Sequence, residues 1–145
     1  MSKLQRIIGK LLAVLLLVGF IPTVHAEIAV ITNPTVKEIG ISKQKLANIY
    51  LGRKKNFSNG ASIEPVDQTA DSAIRHKFYQ SVVGMSVSDA NRYWSRLRFS
   101  GKGTPPRVIT GDEAVRDWVA SHPGAIGYID GEYLNSSVKV VLIIP

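Results

Sequence analysis

The densest run of chemistry-bearing side chains in the sequence is Asp67-Gln68-Thr69-Ala70-Asp71-Ser72-Ala73-Ile74-Arg75. An apolar strand is expected to end at Val66 and a helix to begin at Asp71 or Ser72, so these residues form the turn between them. The first N–H groups of a helix lack internal partners and carry the positive end of its dipole, which suits an anion. Gln68 adds amide donors, Thr69 and Ser72 add hydroxyls, and Arg75 brings a full positive charge one turn in. Asp71 carries a carboxylate able to take a proton from a monohydrogen anion, as does Asp67, which would favour phosphate over sulfate. The candidate oxyanion-binding set is therefore Gln68, Thr69, Asp71, Ser72, Ala73 and Arg75, with no residue assigned to catalysis. The plainer alternative is that Asp71 or Ser72 only caps the helix and Arg75 lies in solvent.

Other chemistries find less support. Cysteine is absent, which excludes disulfides, thiol nucleophiles and cysteine-ligated metals. Beyond residue 26 the histidines are His76 and His122, far apart in sequence and without a second ligand at metal spacing, so no metal or cofactor is expected. Asp67, Ser72 and His76 hold the residue types of a hydrolase triad but without the nucleophile-elbow motif, and the chain is read as a non-enzyme. Asp112, Glu113 and Asp117 open a helix, where carboxylates stabilise its dipole. Two basic clusters stand out: the loop triplet Arg53-Lys54-Lys55, and Arg92, Arg96, Arg98, Lys102 and Arg107 interleaved with Tyr93, Trp94 and Phe99. Trp94 and Leu97 fall on a helix's buried stripe, which leaves those arginines solvated and argues against nucleic acid. An acidic partner such as anionic lipid or a membrane-protein loop stays open.

The elements that must position the loop follow a leader. Lys3, Arg6 and Lys10 precede the apolar run Leu11–Ile21, Pro22 breaks it, and Val24-His25-Ala26 offers a cleavage site. Eleven apolar residues fall well short of the roughly 20 that span a bilayer. The reading is a signal peptide over residues 1–26, cleavage after Ala26 and a periplasmic location. The full chain of 145 residues carries +7; removing 26 residues with three basic and no acidic side chains leaves 119 residues at +4. That is mildly basic, and long enough for one α/β domain over residues 27–145.

Strands are expected at residues 28–31, 63–66, 107–110, 125–129 and 138–144. Helices should begin at Ser42 and end before Gly52, run from Asp71 or Ser72 to Val83, follow the capping pattern Ser86-Val87-Ser88-Asp89, and open at Gly111 or Asp112. In the first, Ile41 should staple onto Leu46. In the last, Ala114, Val115, Trp118 and Val119 should face inward. Strands alternating with helices give a central mixed sheet flanked by about four helices.

Three ordered segments carry a resemblance. Ser42-Lys43-Gln44-Lys45-Leu46-Ala47-Asn48-Ile49-Tyr50-Leu51-Gly52 resembles the S/T-x-x-Q-L-x-x-I-F-L-G segment of phosphate-binding periplasmic proteins, the substrate-binding components of phosphate ABC transporters. The loop 53–59 is similar to the basic loop that follows it there, with Phe57 where Trp is frequent. Pro123-Gly124-Ala125-Ile126-Gly127-Tyr128 matches that family's P-G-A-I-G-Y, and Ile63-Glu64-Pro65-Val66-Asp67 falls at the strand leading into its oxyanion loop. The resemblance implies a single lobe of a type 2 periplasmic-binding-protein-like fold, a phosphate or related oxyanion ligand, and a membrane transporter or periplasmic protein partner. It departs at the loop, where the family's Arg and its Ser-Gly-Thr are not kept; Thr69 and Ser72 stand in for the hydroxyls and Arg75 for the charge. The family closes two lobes on its ligand, and this chain matches one. Two functions follow: an oxyanion-binding solute protein, or a single-lobe interaction or sensory module without strong ligand binding.

Overall fold

Strand β1, Ile28–Thr32, is apolar but for Thr32 and buried along its whole length, because it lies inside a sheet covered on both faces. A computed structural model describes residues 26–145. The leader expected over residues 1–26 lies, all but Ala26, outside the described residues. Four further strands complete the sheet: β2 (Glu64–Asp67), β3 (Arg107–Val108), β4 (Ala125–Asp130) and β5 (Lys139–Ile144). Their order is β3-β2-β4-β1-β5. β2 runs parallel to β3 and β4, whereas β1 is antiparallel to β4 and β5, so the sheet is mixed as expected.

Four helices flank it: α1 (Lys43–Tyr50), α2 (Ala73–Phe78), α3 (Val87–Phe99) and α4 (Asp112–Ser121). Ser42, Ser72 and Ser86 each cap a helix by accepting from the N–H three residues on. The choice between Asp71 and Ser72 thus falls to Ser72. Ile41 and Leu46 are both buried, as the staple requires.

The helix expected to reach Val83 is regular only to Phe78. It continues as a π-helical turn over Tyr79–Val83, closed by Gly84 at φ +77° with its N–H on the Tyr79 carbonyl. The strand expected at 107–110 shortens to two residues, leaving Ile109 to donate one backbone hydrogen bond to Asp67.

The larger core lies under α1, α2 and α3. Phe78 stacks on Tyr128 at 3.9 Å and meets Tyr50 edge-on at 4.8 Å. A smaller core under α4 joins Val115 and Val119 to Ala29, Ile31, Val66 and Ile129. Here the expected inward face needs correction. Ala114 is exposed and Trp118 only half-buried, stacked on His122 at 3.6 Å with the Arg107 guanidinium 4.7 Å from its ring centre. The helix is turned so that Val115 and Val119 are fully buried on the sheet at Gly127, while Trp118 packs only against the edge of this core. A Cβ at Gly127 would lie 3.1 Å from Val115 and 3.2 Å from Val119.

Candidate functional site

β2 delivers Asp67 to the carboxyl end of a parallel strand, and the backbone leaves the sheet there as the loop 68–72. Asp67 is 2% exposed. A buried carboxylate needs several donors, and three hydrogen-bond it beside one guanidinium that pairs with its charge. The Gln68 N–H donates at 2.9 Å, Tyr79 donates its hydroxyl at 2.6 Å, Tyr128 donates from the opposite side, and the Arg75 Nε lies at 3.4 Å. Burial pushes the Tyr79 and Tyr128 hydroxyls well above their ordinary pKa, and the Asp67 charge adds to it.

Gln68 is equally buried and fully used. Its amide nitrogen donates to Asp112 Oδ1 at 2.8 Å and to the Tyr128 carbonyl at 3.1 Å. Its side-chain oxygen accepts from the Ser72 hydroxyl at 3.0 Å, and its carbonyl accepts from Arg75 Nη1 at 3.0 Å. Asp112 also accepts the Asp130 N–H at 3.0 Å, tying the start of α4 to the end of β4.

Arg75 differs from the expectation of an open charge one turn into the helix. It is 6% exposed, pairs with Asp67, donates from Nη2 to Asn91 Oδ1 at 3.2 Å and lies over the Tyr79 ring at 5.3 Å. The cause is its direction. At the third position of α2 it points back under the loop rather than out over it.

The structure therefore brings Gln68, Ser72 and Arg75 together with Asp67 beneath the loop, and leaves Thr69, Asp71 and Ala73 on the outer side. Thr69 is half-buried, while Asp71 and Ala73 are exposed. Among the described residues the Thr69 hydroxyl makes no hydrogen bond, and the N–H groups of Ala73 and Ile74 have none of the cap's help. Ser72 and His76 do not form a catalytic pair: the Ser72 hydroxyl faces Gln68, and His76 Nε2 lies 2.9 Å from the Ala70 carbonyl. Tyr79, Tyr128, Asn91 and Asp112 complete the network and were not selected from the sequence. Of these only Tyr128 carried a signal, as the last residue of the P-G-A-I-G-Y segment.

No family model matches the sequence, and no curated protein matches it. Solved structures do. A protein of Clostridium perfringens described as a phosphate ABC transporter substrate-binding protein, with bound phosphate, superposes at a TM-score of 0.65 and 23% identity, over 80% of this chain and 45% of its own. An ABC-type phosphate transport receptor of Vibrio cholerae gives 0.63 and 20%, over 80% and 46%. PstS of Borrelia burgdorferi gives 0.61 and 19%, over 80% and 47%. The fold is that of these substrate-binding proteins, and the chain spans less than half of their length.

Proposed function

We propose that this chain is an exported, non-enzymatic, single-lobe protein of the solute-binding type, which meets phosphate or a related oxyanion at the loop 68–72 and works beside a membrane transporter. The observation that carries the reading is the convergence of Gln68, Ser72 and Arg75 on one rigid loop at the carboxyl end of β2, where ligands of open α/β sheets bind. The shared fold of the phosphate-binding proteins supports it. With the side chains held from below, the anion's contacts fall to the Thr69 hydroxyl and the N–H groups of Ala73 and Ile74, and Asp71 accepts the proton of a monohydrogen species. Arg75 then positions the loop instead of touching the ligand. An ¹⁵N-resolved titration with phosphate tests this. Shifts confined to residues 69–74 support the reading, and shifts elsewhere or none at all overturn it.

Export is tested separately. The periplasmic protein should begin at Glu27 by mass spectrometry, and a membrane-held species retaining residues 1–26 would refute the assignment.

One observation favours a second reading, an interaction or sensory module without strong ligand binding. The Arg75 charge is already compensated by Asp67, and the side-chain donors of Gln68 and Ser72 are spent within the protein. An anion arriving at the loop finds no uncompensated cation. Under this reading the loop serves stability, and a partner protein is the working contact.

A further inference from the structure

Two adjoining cavities of about 370 Å³ each open on the side of Trp94, and both are walled by Gly52, Lys55, Trp94 and Thr104. One extends past Pro105 and Pro106 to Trp118, the other past Leu97 to Gly101. Together they form one groove that reaches Arg107 at the start of the edge strand β3, and it shares no lining residue with the loop 68–72.

Its lining mixes apolar and polar surface in nearly equal parts, and the polar part is mostly cationic. Lys54, Lys55, Arg98, Lys102 and Arg107 line it against a single carboxylate, Glu64. None of the five makes an ion pair among the described residues, which is also true of Lys37, Lys43, Arg53, Lys77, Arg96 and Lys139, but only these five share one concavity. The excess charge of the groove thus matches the whole +4 of the chain beyond residue 26. Unpaired cations crowded on one concavity repel one another, and a carboxylate-bearing occupant relieves that repulsion.

The wall is built around Trp94. Gly52, at φ +71°, faces its ring so closely that a Cβ there would lie 2.7 Å from Cη2. The Trp94 indole N–H is buried with no acceptor among the described residues, a donor that aromatic side chains normally satisfy.

We infer that this groove is a docking site for a short acidic segment of a partner protein, apolar side chains seated against Trp94, Leu97 and Trp118 and carboxylates meeting Lys54, Lys55, Arg98, Lys102 and Arg107. A peptide fits the observations better than an anionic lipid surface. The site is a concave slot with two side-chain-sized chambers, whereas membranes are met by projecting apolar faces. It also reaches the start of the edge strand β3, beside which an extended chain can run.

Trp94 and Trp118 are the two tryptophans of the protein, so its intrinsic fluorescence reports on the groove. The purified protein is titrated with a short capped peptide of alternating glutamate and leucine, with the same peptide carrying glutamine for glutamate, with phosphatidylglycerol vesicles, and with inorganic phosphate at matched ionic strength. The acidic peptide should give a saturable emission change. The glutamine peptide, and the double variant Lys54→Glu/Lys102→Glu with wild-type peptide, should bind at least about tenfold more weakly, because close charge pairs dominate such contacts. Both variant positions lie on the rim, and an unchanged circular dichroism spectrum confirms that they fold. Equal binding of the neutral peptide, an undiminished response in the double variant, no response to the acidic peptide, or saturation by vesicles or phosphate alone would each overturn the proposal. Because the loop lies elsewhere, failure here leaves the phosphate titration of residues 69–74 independently readable.

Discussion

Asp67 decides the chemistry of the loop, because a carboxylate buried at 2% exposure must be compensated by its neighbours before any ligand arrives. Tyr79 and Tyr128 compensate it only while they keep their protons. Their folded pKa values, and that of Tyr50, whose hydroxyl donates to the Val66 carbonyl at 2.7 Å, lie above the ordinary value of 10.0. The unfolded chain therefore loses these protons first. The stability they contribute is fully present below about pH 10 and falls as the pH rises beyond it, by up to about 1.4 kcal/mol per pH unit for each tyrosine. Denaturant melts between pH 9 and 11 should show a steep decline beginning near pH 10, and Tyr79→Phe should lessen the slope. A flat profile would place these hydroxyls in solvent. Sequence reading found Gln68, Ser72 and Arg75 because they are adjacent in the chain. It did not find what holds them: Tyr128 lies 61 residues from Asp67, and nothing local marks Arg75 as pointing inward.

At the scale of elements, caps and glycines were legible and side-chain facing less so. Gly124 sits at φ +81°, and a Cβ there would come within 2.6 Å of the Ser62 carbonyl oxygen, which is backbone and cannot step aside. That gives the P-G-A-I-G-Y segment a mechanical reason: its first glycine lets β4 start against the chain entering β2. Gly124→Ala should cost at least about 2 kcal/mol, strain and clash together. Chemical denaturation measures it, and a near-neutral result would refute the close approach. Trp118 was expected in the core from the spacing of α4. Its half-exposed stack on His122 instead implies that Trp118→Ala costs about 1–2 kcal/mol, while Phe78→Ala, at the centre of the aromatic cluster, costs about 3–5 kcal/mol. Comparable losses would mean that the helix is turned the other way. The periodicity placed α4 correctly but left its rotation open by one position, because Gly127 and not a large residue receives it. The π turn after Phe78 was invisible, since an inserted residue leaves no mark on a short apolar pattern.

For the whole molecule, the alternation of strands and helices and three ordered motifs led to the right architecture without a matching family model. The match to one lobe, expected from those motifs, agrees with a chain that spans less than half of each solved neighbour. The arginine of the loop is already paired with Asp67, and the side-chain donors of Gln68 and Ser72 are spent within the protein. An anion held only by the Thr69 hydroxyl and backbone N–H groups should therefore bind weakly. Isothermal calorimetry of the purified protein with phosphate tests the central claim most directly, run beside sulfate and beside Thr69→Val. Weak heat of binding is expected, with a Kd between roughly 1 μM and 1 mM, weaker still for sulfate and for the variant. No heat at roughly millimolar phosphate, or affinity unchanged by Thr69→Val, would contradict it.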